Sequence, residues 1–253
     1  MTTKIETIRK ASFKVGLIIA IVIFSIIALI TTFAVMAHIS SLRVSNAEYD
    51  YLRELAFNLT KDGDFDVSRL SELDKEMLQI NPDYICWLRI DGTSIDHPVA
   101  RGDDNEKYLT TTFQGNYNVA GTLFMDYRNV GEFATYIAGE SLPHIIIYGH
   151  NTQEGGMFSD LHKYRSESFL EKNKIITLII HDKEVQFEIF SARMSDINDP
   201  AYFLNFNSPR AFYGFADRIN APLAATQILT LSTCVSAGID EERFIVQGWR
   251  ISD

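Results

Sequence analysis

The chain contains 253 residues, of which 46% are hydrophobic and 22% are charged, and its formal net charge at pH 7 is −10. This length is enough for one large domain or two small ones, and the composition is that of a globular protein with one concentrated apolar segment. After residue 14 the chain holds 19 basic and 32 acidic residues, a net charge of −13. This acidic balance argues against nucleic acid or anionic lipid as a partner of that part of the chain.

The first predicted element is a transmembrane helix. Val15 to Ala37 contains 23 residues without a charge, and a helix of that length is about 35 Å long, which spans a bilayer core with some tilt. Because residues 1–14 carry four basic residues against one acidic residue, we expect a cytoplasmic N-terminus and an extracellular main domain on a single-pass protein of the cell membrane. A cleaved signal peptide is the alternative, but its apolar region is only about 7–15 residues long, which favours an uncleaved signal anchor.

A helical juxtamembrane segment is predicted over residues 38–80. Between Asn46 and Leu59 the apolar residues recur at helical spacing among charges of both signs. Ser71 opens a sequence similar to a capping box, and the apolar stripe after it predicts a second helix that stops before Pro82. A flexible stalk is the alternative, and the two apolar stripes disfavour it.

From Tyr84 onward the pattern changes to short strands, which we assign to a main domain over residues 81–253. Runs rich in β-branched and aromatic residues and bounded by turn residues are typical of strands. Many short strands with few long helices predict a closed or nearly closed β-barrel, so the fold class is mainly β with flanking helices. The eight predicted strands cover residues 84–90, 95–99, 120–126, 143–148, 174–181, 183–190, 227–233 and 243–250.

Two connections between strands are long enough to contain helices. Residues 159–172 interleave polar and apolar side chains and predict one or two helical turns packed on the barrel. Residues 191–226 form a connection of about 36 residues before the seventh strand, and insertions of this length are commonly functional. Within it, Ser208 followed by a proline predicts the start of a helix.

Cys234 ends the seventh predicted strand, where the apolar run gives way to a polar loop. The eighth strand begins at Arg243, and two strands joined by a short polar loop predict an antiparallel hairpin. The end of one hairpin strand lies near the start of the other, so we expect Cys234 and Arg243 to meet. This arrangement provides a nucleophile beside a fixed positive charge.

A cysteine needs a base or a cation nearby, because a free thiol with a pKa of about 8.5 is mostly protonated at neutral pH. Histidine is the usual partner, and His150 closes a similar junction between a buried strand and a loop. A lone cysteine is most often an inert core residue. Three reactive residue types at strand ends favour a catalytic site instead.

Other chemistries lack a matching motif in the sequence. The histidines are scattered, without the spacing of a zinc site. Asp103 and Asp104 with Glu106 lack the spacing of a calcium loop, and no Gly-x-Ser-x-Gly motif supports a serine hydrolase. We therefore predict no metal site.

These motifs together resemble those of the sortases, cysteine transpeptidases that attach proteins to the Gram-positive cell wall. The family pattern Thr-Leu-x-Thr-Cys is met at Thr230 to Cys234, the histidine at Tyr148-Gly149-His150, and the arginine nine residues beyond the cysteine at Arg243. The similarity runs from about residue 76 to the last residue. The helical pair before the barrel and the helix in the long connection resemble class B, which implies an eight-stranded sortase barrel.

The resemblance also implies the roles of the site residues. Cys234 attacks a threonine carbonyl in a C-terminal sorting signal, His150 protonates the leaving amine, and Arg243 holds the oxyanion or the substrate carbonyl. A peptidoglycan amine, from a precursor or cross-bridge, then resolves the thioester, and no cofactor is needed. The expected partners are surface proteins with a sorting signal, and the enzyme is expected to be a monomer. Positions that match the family's peptide groove are Asn105, Leu109 and Ser232.

Two alternative functions remain open at this point. A thiol protease would use the same residues, with water instead of an amine resolving the acyl-enzyme. A non-catalytic barrel would only bind a wall component or a peptide, with Cys234 buried and inert. The second cysteine, Cys86, lies in a predicted core strand and is interpreted as a structural thiol, with a disulfide to Cys234 as the less favoured alternative.

Overall fold

The computed structural model describes residues 2–60, 67–129, 143–152, 156–180, 183–234 and 242–251. The chain divides into two compact units, Met1–Val44 and Ser45–Asp253.

The first unit contains an apolar helical stretch near the N-terminus. Helix α1 covers Thr2–Thr60, and Gly16–Met36, a stretch of 21 residues with a mean hydropathy of 2.9, is long and apolar enough to cross a membrane. Its side chains are exposed. The polar side chains within it bond back to the helix, as when Ser25 Oγ donates to the Ile21 carbonyl at 2.8 Å. The stretch therefore presents apolar surface with its hydroxyl groups satisfied.

In the second unit, two helical segments pack on the barrel. The last turns of α1 bury Tyr49 and Leu52, and helix α2 (Val67–Ile80) buries Leu73 and Met77. Tyr49 Oη donates to the Gly121 carbonyl at 2.7 Å, which fixes the first segment to the barrel. The predicted second helix is confirmed, but the predicted start at Ser71 is wrong, because α2 already begins four residues earlier. The capping-box sequence lies inside the helix, where its local pattern has no capping role.

Eight strands form a closed barrel in the order β1-β2-β3-β4-β7-β8-β6-β5, which confirms the predicted fold class. Neighbouring strands are antiparallel except for the pairs β2 with β3 and β4 with β7, which are parallel. The strands are β1 Tyr84–Arg89, β2 Asp96–Ala100, β3 Leu123–Met125, β4 His144–Tyr148, β5 Ile175–Ile180, β6 Lys183–Asp196, β7 Ile228–Cys234 and β8 Glu242–Arg250.

The sixth strand is longer than the sequence predicts. Residues 191–196 continue β6 and pair with β8 as far as Asp196, so the long connection begins at Ile197 instead of residue 191. None of these added residues is buried, and Met194 and Asp196 are exposed. Their strand conformation comes from pairing with β8. Because they are not buried on one face, they show no alternation of hydrophobic and polar residues that would predict a strand.

Short helices fill the connections where they are predicted. A 3₁₀ helix at Ser159–Arg165 and helix α3 (Glu167–Lys172) lie between β4 and β5. Helix α4 (Pro209–Arg218) lies in the long connection, and its start is capped by Ser208 Oγ, which accepts from the Ala211 N–H at 3.2 Å. A 3₁₀ turn at Pro200–Tyr202 precedes it.

The two faces of the sheet around β7 have different neighbours. Alternate residues such as Leu229 and Leu231 point into the barrel core. On the opposite face, α4 buries Phe212 and Phe215 against Ile228 in a separate hydrophobic cluster. Alternation along a strand places residues two apart on one face. The outer face of β4, β7 and β8 is therefore covered by the long connection at one end and open at the other.

Candidate active site

The open end of this outer face forms a groove with a volume of about 380 Å³. The groove has walls from five parts of the chain: the loop after β2, strand β3 with the residues after it, the end of β4, the connection after β6 and the β7–β8 hairpin. Most of the predicted site residues line it, together with residues that the sequence analysis did not identify. Its lining residues are Asn105, Leu109, Phe124, Arg128, Tyr148, Gly149, His150, Ile197, Tyr202, Ser232, Thr233 and Arg243.

Strands β7 and β8 form the predicted antiparallel hairpin, and their register pairs Cys234 with Arg243. The pairing of Ser232 with Ile245 and of Thr230 with Gln247 continues the same ladder. Directly opposed residues in an antiparallel pair have Cβ atoms about 4.5–5.5 Å apart. The expected meeting of the cysteine and the arginine therefore follows from backbone pairing.

Arg243 presents a guanidinium that the described residues leave without an ion pair. Its Nη1 donates to the Glu242 carbonyl at 3.2 Å. Other arginines are held by carboxylates, as Arg128 is by Asp126 and Arg193 by Asp199. Within the described ranges, which exclude residues 235–241, no carboxylate forms such a pair with Arg243, so its fork is available to an oxygen atom in the groove.

Two side chains, those of Leu123 and Phe158, pack closely against the backbone before His150. A Cβ at Gly149 would lie 2.7 Å from Phe158 Cδ2 and closer still to Leu123 Cδ2, so a larger residue would force these buried side chains to shift. His150 follows directly and lines the groove. The close packing at Gly149 therefore helps to fix the backbone position from which His150 extends.

His150 Nε2 lies 2.7 Å from the Leu109 carbonyl oxygen. A carbonyl oxygen only accepts hydrogen bonds, so Nε2 carries the proton in this contact. In the neutral ring, Nδ1 is then the nitrogen that can accept a proton. No sequence pattern marks a residue that orients the histidine, and in the structure the main chain of Leu109 does so.

The three predicted groove residues all line the groove, each with a different contact. Asn105 Oδ1 accepts from the Tyr127 N–H at 3.0 Å, which leaves its amide N–H groups as donors. Leu109 has a side chain 38% exposed in addition to its carbonyl contact. Ser232 is buried, and its hydroxyl lies 2.9 Å from Tyr202 Oη.

A charged network beside the groove was missed by the sequence analysis. Asp126 accepts from Arg128 Nε at 2.9 Å and Nη2 at 2.7 Å, and from Tyr148 Oη at 2.9 Å. Burial opposes ionisation of Asp126, but these hydrogen bonds outweigh it and lower the pKa of the carboxyl below its usual value. An acidic and a basic residue two apart directly after an apolar strand were the available signal.

Tyr202 was also missed, because it lies in the long connection where no pattern marks it. Its ring stacks on Tyr148, with 6.4 Å between centroids and 10° between planes. Burial raises the pKa of its hydroxyl, which contacts Ser232. Tyr202 therefore links the long connection to the strand that ends in Cys234.

Cys86 lies in β1 and is a fully buried free thiol, so it forms no disulfide with Cys234. Burial raises the pKa of this thiol well above its usual value, which makes it unreactive. No group of three or more His, Cys, Asp or Glu side chains within the described part of the chain could hold a metal ion.

Comparison with known proteins gives one family. The model of the sortase domain matches residues 88–251. Sortase B of Staphylococcus aureus (strain NCTC 8325 / PS 47) is 32% identical over 178 residues, which are 66% of this chain and 70% of the relative. Sortase B of Listeria monocytogenes serovar 1/2a is 28% identical over 186 residues, 69% of this chain and 72% of the relative.

The fold is similar to a solved structure from the same group. The Staphylococcus aureus sortase B–substrate complex has a TM-score of 0.70 and 28% sequence identity, and the match covers 83% of this chain and 97% of that one. The similarity therefore includes both the barrel and the elements that flank it.

Proposed function

This chain belongs to the sortase family, as a class B member, and on that premise we propose that it is a single-pass membrane enzyme that cleaves a sorting signal at a threonine and transfers the protein to a peptidoglycan amine. Family membership makes it a cysteine transpeptidase of cell-wall anchoring, which binds sorting-signal substrates and an amine nucleophile. The observation that carries the proposal is the register pair of Cys234 and Arg243 beside a groove that His150 also lines.

In the first half-reaction, the Cys234 thiolate attacks the threonine carbonyl carbon and forms a C–S bond. The carbonyl π electrons move to oxygen, and Arg243 donates hydrogen bonds to that oxyanion. When the C–N bond breaks, the leaving amine takes a proton from the His150 imidazolium, and a thioester remains. Among the described residues no carboxylate pairs with Arg243, which supports this role, because a guanidinium already held by a carboxylate has fewer donors to offer.

In the second half-reaction, an amine attacks the thioester and His150 acts as the base. Its Nδ1 takes the amine proton while Nε2 remains bonded to the Leu109 carbonyl. The C–S bond breaks and the Cys234 thiolate is restored. The hydrogen bond from Nε2 supports this assignment, because it leaves Nδ1 as the basic atom in the neutral ring.

The proposal includes the organisation of the chain. Residues 1–14 are cytoplasmic, 15–37 anchor the protein, 38–80 form the juxtamembrane segment, and 81–253 form an extracellular, monomeric catalytic domain. The exposed apolar helix near the N-terminus and the basic residues before it support this orientation.

The substrate lies in the groove in this proposal. The amide N–H groups of Asn105 are oriented donors for a peptide carbonyl, because Tyr127 occupies the side-chain oxygen. Leu109 offers apolar surface, and Ser232 contacts the peptide together with Tyr202.

One experiment separates the proposed transfer from hydrolysis and from binding alone. The full chain in detergent is incubated with peptides cut from sorting signals of surface proteins of the same organism, with and without a soluble amine acceptor. We expect a cleaved product whose mass includes the acceptor. Only hydrolysed product in the presence of the acceptor would indicate a thiol protease, and an intact peptide that binds would indicate a binding barrel.

A further inference from the structure

A buried polar chain crosses the outer face of the barrel below the groove. It joins His144 on β4, Thr230 on β7 and Gln247 on β8, all of them fully buried. His144 Nε2 lies 2.8 Å from Thr230 Oγ1, and Gln247 Nε2 donates to the same oxygen at 3.1 Å. At the other side of the ring, His144 Nδ1 lies 2.8 Å from the Phe203 carbonyl oxygen.

The Phe203 carbonyl at one end of these linked hydrogen bonds determines which atom donates each of them. The Phe203 carbonyl only accepts, so His144 Nδ1 carries a proton, and in the neutral ring Nε2 accepts from the Thr230 hydroxyl. Burial lowers the pKa of His144 to about 4 and outweighs the Phe203 bond, which raises it. The ring is therefore neutral at pH 7, in the Nδ1–H tautomer.

Phe203 belongs to the segment that forms one wall of the groove. It directly follows Tyr202, which stacks on Tyr148 and contacts the hydroxyl of Ser232. The side chain of Phe203 is 48% exposed and so contributes little burial of its own. Arg193 holds the start of this segment through Asp199, and His144 bonds the residue after Tyr202 to the barrel.

We propose that His144 is a positioning residue for substrate binding, which fixes the wall that carries Tyr202 through its bond to the Phe203 carbonyl. The inference rests on the proposed function of the groove. His144 does not line the groove, so its loss is expected to weaken peptide binding and raise KM while the chemistry at Cys234 is unchanged. A buried polar chain whose members are bonded to one another fixes one arrangement of its partners, which apolar packing alone does not.

A role in packing alone is the competing explanation, because the His144 ring lies 4.8 Å from the ring of Phe215 on α4. Two amide substitutions distinguish the roles, because positioning and packing predict opposite orders of damage for them. The amide nitrogen of asparagine lies near the position of Nδ1, so His144→Asn keeps the donor to Phe203. The amide of glutamine lies near Nε2, so His144→Gln keeps more volume but loses that donor. If His144 positions the wall, the asparagine variant should bind the peptide better. If His144 only packs, the glutamine variant should bind it better.

The test measures acylation of the full chain in detergent by the sorting peptide, with alkylation of Cys234 by iodoacetamide as a probe that does not need the wall. Loss of one hydrogen bond of about 1 kcal/mol corresponds to roughly fivefold, so we expect about a fivefold rise in KM for His144→Gln with kcat and the alkylation rate unchanged. His144→Asn is expected to keep KM near the wild-type value. His162→Gln, on the 3₁₀ helix outside the groove lining, is the matched control and should leave KM unchanged.

An equal KM in the two variants, or a lower KM in the glutamine variant, would overturn the proposal. A second readout does not depend on activity: ¹⁵N chemical shifts of the His144 ring should give the Nδ1–H tautomer at pH 7, and the Nε2–H tautomer would overturn the proposal. If the wild type is not acylated, the proposed function fails, while amide exchange over residues 199–206 still decides this inference. That exchange should be faster in His144→Gln than in His144→Asn, and equal rates would contradict it.

Discussion

The Nε2 atom of His150 donates to the main-chain carbonyl of Leu109 over 2.7 Å. This bond fixes the ring while leaving Nδ1 for proton transfer, so orientation and basicity belong to different atoms. In His150→Gln the side-chain amide can still donate near the Nε2 position, but no base remains. We expect His150→Gln and His150→Ala to lose about 10²–10⁴ in the acylation rate, the usual contribution of general acid–base catalysis.

Single-turnover acylation by the sorting peptide measures this loss, with His162→Gln as the matched control on a histidine outside the groove lining. Thermal unfolding of each variant checks that the fold is retained. A His150→Gln variant that acylates near the wild-type rate would remove His150 from proton transfer.

Substitution of Arg243 by lysine tests whether the geometry of the guanidinium or only its charge matters. Lysine keeps the charge but lacks the planar fork, so it does not replace arginine where two donors hold one oxygen atom. We expect Arg243→Lys to fold normally and to lose at least about tenfold in acylation, and Arg243→Ala to lose about 10²–10³, as for other oxyanion donors.

Arg89→Lys is the control for that substitution, because Arg89 pairs with Glu184 and does not line the groove. It should acylate at the wild-type rate. If Arg243→Lys does so as well, Arg243 acts through charge alone or takes no part in the reaction.

Asp126, beside the groove, is expected to contribute to the free energy of unfolding in a pH-dependent way. Its carboxylate accepts charged hydrogen bonds from Arg128 and one from Tyr148, so we expect Asp126→Asn to cost about 2 kcal/mol of unfolding free energy at pH 7, within the range for hydrogen bonds to charged groups. The folded-state pKa of Asp126 is lowered. Its contribution is therefore complete above the unfolded pKa of about 3.9 and is lost as pH falls through the folded pKa.

Denaturant unfolding of the wild type and Asp126→Asn at several pH values between neutral and acid measures this effect. The difference between the two proteins should be largest at neutral pH and should shrink below about pH 4. A difference that stays constant with pH would show that the ionised form of Asp126 contributes nothing to stability.

Much of the architecture was predictable because it rests on local patterns. The barrel strands alternate or form buried apolar runs, and the Ser208-Pro209 start of α4 is a local capping signal. Residues 191–196 were not predictable as strand, because only their pairing with β8 determines their conformation. The wall residues Tyr202 and Phe203 were missed for the same reason, since their positions depend on bonds to Ser232 and His144 that are distant in sequence.

The stretch Gly16–Met36 carries the exposed apolar surface near the N-terminus, so the rest of the chain is expected to be independent of it. A fragment that starts near residue 40 should be soluble without detergent, monomeric and cooperatively folded. Sedimentation and thermal unfolding of this fragment measure these properties. Aggregation that only detergent relieves would contradict the division between an anchor and a separate catalytic domain.

The central claim is that acyl transfer passes through a thioester on Cys234. The direct measurement is the intact mass of the full chain during reaction with the sorting peptide, followed by peptide mapping and addition of the amine acceptor. We expect an acyl adduct on Cys234 that the acceptor discharges, none on the buried Cys86, and none in Cys234→Ala, whose stability should stay within about 1–2 kcal/mol of the wild type. An adduct on another residue, or turnover by Cys234→Ala, would contradict the account.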